Sequence, residues 1–381
     1  MRGVRVVRDV MRRTLLLLAM AAAQFAVFET ALRLWGHSEA SPAFQTLFTP
    51  DPVLGYRLRP NSRTRFVTAE FDTEIAINAQ GVRDDADIGP KPANERRIVV
   101  IGDSLVLSVQ VNQQQTFCTL LERSLNRGPL ELARARGGVY YRVINAGVQG
   151  YGPVEELLFF RQVARAFQPD LVIHTIFVGN DAEEAVTSEP RLHRTDPGAA
   201  GPPVQEVWQS APNDLRRLAR RSMVLQVARL RLLGVTDRLP SFGARPEPPL
   251  QSYAAHPAPR IAAGLRISRD CVQALAADAA ATGARTMVML MPARFQVDDA
   301  DYGRLKDVVK GAGGELVRDA ATARFDEALR PLALPQFDAL PSLRAALPGP
   351  DVFFQQTVHL TPRGHEIVAR ALEAFLRGQG L

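Results

Sequence analysis

The run Ile98-Val99-Val100-Ile101, closed by Gly102-Asp103-Ser104-Leu105, constrains this chain more than any other segment. Four β-branched apolar residues ended by a glycine make a strand buried on both faces, and such strands belong to parallel sheets covered by helices. Open α/β sheets carry their reactive groups at the carboxyl ends of strands. Ser104 stands one step past such an end, which makes its hydroxyl a candidate nucleophile. Serine is also a favoured helix cap, so the tripeptide alone decides little and the remainder of the chain has to.

That remainder repeats the alternation of strand and helix. Strands are expected over residues 98–101, 141–144, 171–177, 286–291 and 332–337. Helices are expected over about 113–125, 153–167, 262–281, 301–310 and 363–377, with Pro153 suited to a first helical position. This order implies a parallel sheet covered on both faces, a three-layer α/β/α sandwich. Residues 64–68 and 73–77 alternate as half-buried strands do, so a small β appendage and linker is expected over 38–95. The main domain then spans 96–381, interrupted at about 182–260 by a proline-containing insertion whose middle, 214–233, reads as an arginine-rich amphipathic helix.

Composition excludes some classes. The chain has 381 residues, 46% hydrophobic and 23% charged, which is globular and gives room for one large domain with extras. The formal charge of +6 gathers in the first thirteen residues and in the arginine-rich stretch, without the signatures of nucleic-acid binding. Cys118 and Cys271 are too few and too far apart for a disulfide framework or a metal cluster, and are expected as buried thiols. The histidines show no metal-ligand spacing and no Gly-rich phosphate loop is present, so neither a metal nor a cofactor is expected.

The amino terminus reads as an export segment. Arg2, Arg5, Arg8, Arg12 and Arg13 precede residues 14–35, which as a helix would span roughly 33 Å, enough to cross a bilayer. Arginines before the span place the start in the cytoplasm. The expectation is a single-pass anchor (residues 1–37) in a bacterial inner membrane with the main domain on the periplasmic side. A cleaved signal peptide ending near Ala21-Ala22-Ala23 is the alternative.

Four segments fall at strand ends or in a terminal loop: Gly102-Asp103-Ser104, the run from Asn145 to Gly152, Gly179-Asn180-Asp181, and His359-Leu360-Thr361-Pro362-Arg363-Gly364-His365. Ester hydrolysis needs a nucleophile, a base, oxyanion donors and a group that orients the base. Ser104 and His359 suit the first two roles. The backbone N–H groups of Ser104 and Gly150 and the Asn180 amide suit the third. His365 and His174 suit packing roles better, and Asp103 and Asp181 suit backbone capping.

The ordered set resembles the SGNH hydrolases, also called the GDSL esterase/lipase family. The resemblance covers about residues 97–376 and implies a flavodoxin-like fold. It implies Ser104 as nucleophile, Gly150 (with Gly147 as rival) and Asn180 in the oxyanion hole, and His359 as base. The anchor and β appendage resemble exported, membrane-tethered bacterial members. The chain departs from the family where an acid usually stands three residues before the histidine, since that place holds Gln356. Either Asp351 orients the ring by another path, or a backbone carbonyl does so in a Ser–His dyad, or catalysis is impaired. The implied activity is hydrolysis of an acyl ester, such as an acetyl ester of a cell-envelope saccharide or lipid, through an acyl-enzyme. Acyl transfer to a sugar hydroxyl and non-catalytic binding or assembly are the alternatives.

Overall fold

The computed structural model describes residues 20, 23–25, 46–128, 130–135, 137–193, 250–346, 352–355 and 357–380. The compact unit formed by residues 45–66, 70–204 and 247–381 holds Ser104, Gly150, Asn180 and His359. The expected membrane segment lies outside the described residues apart from Met20 and residues 23–25, and among the described residues no helix is long and apolar enough to cross a membrane. The arginine-rich stretch 214–233 also lies outside them.

The centre is a five-stranded parallel sheet of β5 (Glu95–Gly102), β6 (Tyr140–Gly147), β7 (Leu171–Phe177), β8 (Arg285–Met291) and β9 (Gln336–Asp338), in the spatial order β6-β5-β7-β8-β9. Ile98 of β5 faces Val143 on one side and Leu171 on the other, and Val100 faces Asn145 and Ile173. Every residue of β7 is buried, so both faces of the sheet are covered. This is the flavodoxin-like strand order, whose switch point lies between the first and third strands, here β5 and β7.

Two helical layers enclose the sheet. Helices α2 (Phe117–Asn126) and α7 (Pro362–Gly378) pack on each other. In the other layer α3 (Pro153–Gln162), α4 (Asp181–Ser188) and α5 (Pro259–Ala281) pack together, while α1 (Ser104–Leu107) is a single turn leaving β5 and α6 (Ala320–Leu329) packs on α5. Ahead of the sheet stand two antiparallel hairpins. One is β1 (Phe48–Asp51) with β2 (Gly55–Leu58), and the other is β3 (Ser62–Val67) with β4 (Asp72–Ile77).

Several boundaries move. The expected fifth strand shrinks to β9, because Pro331 opens a helical turn at Arg330–Leu332 and Ala333 takes a left-handed conformation at φ 51°. The expected helix over 153–167 breaks at Val163 into α3 and a 3-10 turn, Ala164–Phe167. Hairpin β1–β2 and helix α6 were not expected.

One glycine fixes the approach of two helices. A Cβ on Gly264 in α5 would lie 1.7 Å from the carbonyl oxygen of Ala182 in α4. On an exposed helix Gly→Ala stabilises by about 1 kcal/mol. Here the methyl group would force the two backbones apart. Gly264→Ala is therefore expected to lower stability by about 1–3 kcal/mol in urea denaturation; a gain would show that the helices do not meet here.

Candidate active site

The turn that carries Ser104 is built by close packing. A Cβ on Gly102 would lie 2.5 Å from Val106 Cγ2, and one on Gly147 would lie 2.3 Å from the Leu107 nitrogen. Strand β5 can therefore turn at once into α1, and β6 can press against that turn. The side chain of Asp103 caps α1 by accepting from the Leu105 N–H at 2.8 Å. Burial pushes its carboxyl up to about 6. Asn145 Nδ2 donates to the Val106 carbonyl at 2.7 Å.

Below the turn lies a fully buried Arg83. Its guanidinium donates to the carbonyls of Leu107 at 2.6 Å, Val111 at 2.5 Å and Ser108. Three carbonyl oxygens stand in for water around this cation, and burial pulls its pKa down to about 9. Arg83 thus ties the residues that end α1 to the chain that follows β4.

His359 arrives on a loop that closes upon itself. Phe353 and Leu360 form a β-bridge, the Phe354 N–H donates to the His359 carbonyl at 3.0 Å, and the Thr361 N–H donates to Val352 at 3.0 Å. Thr361 then caps α7. The loop is tied down from outside as well. Glu70 accepts from the Gln355 N–H at 2.7 Å, Phe71 packs on Phe354 at 5.4 Å between ring centres, and Arg294 donates to the carbonyls of Phe354 and Gln355 at 3.0 and 2.5 Å.

So held, His359 Nε2 lies 2.9 Å from Ser104 Oγ. Desolvation brings the ring down to about 4, so it is neutral at ordinary pH. Its Nδ1 is buried and has no hydrogen-bond partner among the described residues. Asp351, the expected orienting acid, and Gln356 both lie outside the described residues.

The other two site residues occupy loops at the same edge of the sheet. Gly150 lies in the loop after β6, where the Val148 N–H donates to the Gly102 carbonyl at 3.0 Å. Gly150 is exposed, with φ +72°, a conformation that glycine adopts without strain. Its rival Gly147 is accounted for by packing on α1. Asn180 is the N-cap residue of α4, following β7. Its Nδ2 donates to Glu184 Oε1 at 2.7 Å, and burial pushes the Glu184 carboxyl up to about 8.

The remaining candidates serve the fold. His174 Nε2 pairs with Glu156 Oε2 at 2.6 Å inside the core. Asp181 accepts from the Phe177 N–H at 2.9 Å. His365 Nδ1 accepts from the Phe117 N–H at 3.2 Å, capping α2, and its ring stacks on Phe117. Both cysteines are free and buried. Arg83 and Glu184 take part here without having been expected from the sequence. Only Glu184 left a signal, its spacing of four from Asn180 on a helix.

A serine hydroxyl within hydrogen-bond distance of a neutral imidazole, at the switch point of a parallel sheet, can act as a nucleophile with its base. No family model matches the chain, and no curated protein matches it. Among solved structures it is similar to that of TesA, with 13% identity over 74% of this chain and 99% of that one, at a TM-score of 0.40. It is also similar to LAE5, an alpha/beta hydrolase enzyme from the metagenome of Lake Arreo, Spain (14% identity, 74% and 94% covered, TM-score 0.38). Axe2, an acetylxylan esterase from Geobacillus stearothermophilus, is a further similar structure (13%, 74% and 94%, TM-score 0.36).

Proposed function

We propose that this chain is a serine esterase of the SGNH (GDSL) type. The observation that carries the reading is the 2.9 Å hydrogen bond between Ser104 Oγ and His359 Nε2. In the first half-reaction Ser104 Oγ attacks the ester carbonyl carbon while its proton passes to Nε2. The tetrahedral oxyanion is received by the amides of Ser104 and Gly150 and by Asn180 Nδ2. The C–O bond to the alcohol then breaks, and His359 returns the proton to that leaving oxygen. Water repeats the sequence on the acyl-enzyme, with His359 again as base, releasing the acid and restoring the serine.

This cycle requires the proton of the neutral ring on Nδ1. With that atom unpartnered among the described residues, we read a Ser–His dyad whose ring is set by the closed loop around it; Asp351 as the orienting acid is the competing reading. A fluorophosphonate probe is expected to label the wild-type protein and not Ser104→Ala. Labelling of both, or of neither, contradicts the esterase.

The dyad has a pH signature. A ring held down to about 4 remains a competent base until its own proton is added, so kcat/KM should be flat above about pH 5 and fall in a limb near pH 4. A carboxylate at Nδ1 would stabilise the imidazolium and raise that limb. An acid limb near neutrality that Asp351→Ala shifts downward would therefore replace the dyad with a triad.

We also propose that residues 14–35 tether the domain to the outer face of a bacterial inner membrane. Its substrate would then lie among acylated saccharides or lipids of the envelope. The five preceding arginines and the length of the apolar run support this. The full-length protein should remain in the membrane fraction after an alkaline carbonate wash, and recovery in the soluble fraction would contradict the anchor.

A further inference from the structure

We infer that Tyr56, in hairpin β1–β2 outside the sheet, positions the Gly150 N–H as an oxyanion donor; this rests on the esterase reading above. The Tyr56 hydroxyl donates to the Gln149 carbonyl at 2.7 Å. That carbonyl and the Gly150 N–H belong to one peptide group. A peptide is planar and trans, so its C=O and N–H point in opposite directions. A hydroxyl that fixes the carbonyl therefore fixes where the N–H points. Donation to the carbonyl also polarises the peptide and strengthens its N–H as a donor.

The surroundings of Tyr56 make it a rigid stop. Tyr56 is 8% exposed, and its ring packs against Phe48 and Tyr151, at 5.4 and 5.6 Å between ring centres. The Tyr151 hydroxyl donates back to the Tyr56 carbonyl at 2.5 Å, so the hairpin and the loop are tied in both directions. Burial and nearby carboxylates hold the phenol above its usual range, which keeps it protonated as a donor. The fit at Gly150 is close: a Cβ there would lie 2.8 Å from the Tyr56 hydroxyl oxygen. The loop needs glycine both for its φ of +72° and for the room this hydroxyl takes. Without the hydroxyl, the turn bond from the Tyr151 N–H to the Val148 carbonyl at 3.2 Å still spans the peptide, but its carbonyl loses the partner that sets its direction, and the donor it offers the transition state is less well aimed.

The test uses full-length Tyr56→Phe with p-nitrophenyl acetate as substrate. Because an oxyanion donor acts on the transition state more than on the bound ester, kcat should fall on the order of tenfold to a hundredfold, with KM within about twofold. The thermal transition should remain cooperative. Unchanged kcat in a folded variant, or a rise in KM that accounts for the whole loss, overturns the role of Tyr56 and leaves the esterase standing. A wild-type protein that neither hydrolyses the ester nor labels at Ser104 overturns both. If Tyr56→Phe does not fold, the phosphonylated wild type decides by NMR. The Gly150 amide proton should shift downfield on adduct formation, and an unmoved resonance overturns the assignment.

Discussion

The hydrogen bond from Ser104 to His359 joins residues 255 positions apart, and almost every feature near it holds one end or the other in place. Neither side chain is placed by its neighbours in sequence alone. Ser104 depends on a strand that must turn within one residue, which Gly102 and Gly147 permit sterically and Asn145 and Arg83 hold by donating to backbone carbonyls. His359 depends on a loop that supplies its own bridge and is anchored by Glu70, Phe71 and Arg294. The two hairpins that precede the sheet thus take part in the site: one supplies Tyr56 to the loop of Gly150, the other supplies Glu70 and Phe71 to the loop of His359.

The electrostatics of the site follow from burial. Glu156, Asp181 and Glu184 all lie close to the β5–β7 switch point, and desolvation pushes each of them toward its neutral form. Three ionised carboxylates there would oppose negative charge developing on a substrate oxygen. The shift of all three toward the neutral form lessens the negative charge around the amides proposed as oxyanion donors. The same desolvation holds the His359 ring neutral, with a nitrogen able to accept a proton, while it lowers the basicity of that nitrogen. One physical cause, removal of water, shifts both the imidazole and the carboxyls around it.

Much of this was legible in the sequence because the signals were local. The run 98–101 announced β5, residues 171–177 announced β7 with the bounds observed, and the short segments after them carried Ser104 and Asn180. Helix α6 was locally legible too, since Ala, Arg, Glu and Leu favour helix, and was passed over. The fifth strand failed because Pro331 and Pro335 flank an apolar run too short to pair along its length. The bracing could not be read at all. Tyr56 meets Gln149 across 93 residues, and the two terminal nitrogens of Arg83 donate to backbone carbonyls, which no pattern of side chains reveals.

A serine esterase of this kind must form a covalent acyl intermediate on Ser104. The most direct measurement is acid quenching during turnover of an acyl ester, followed by peptide mass spectrometry. One acyl group on the peptide containing Ser104, accumulating and then decaying with product release, is expected of a serine esterase. Turnover with that peptide unmodified, or with the acyl group on another residue, would contradict it.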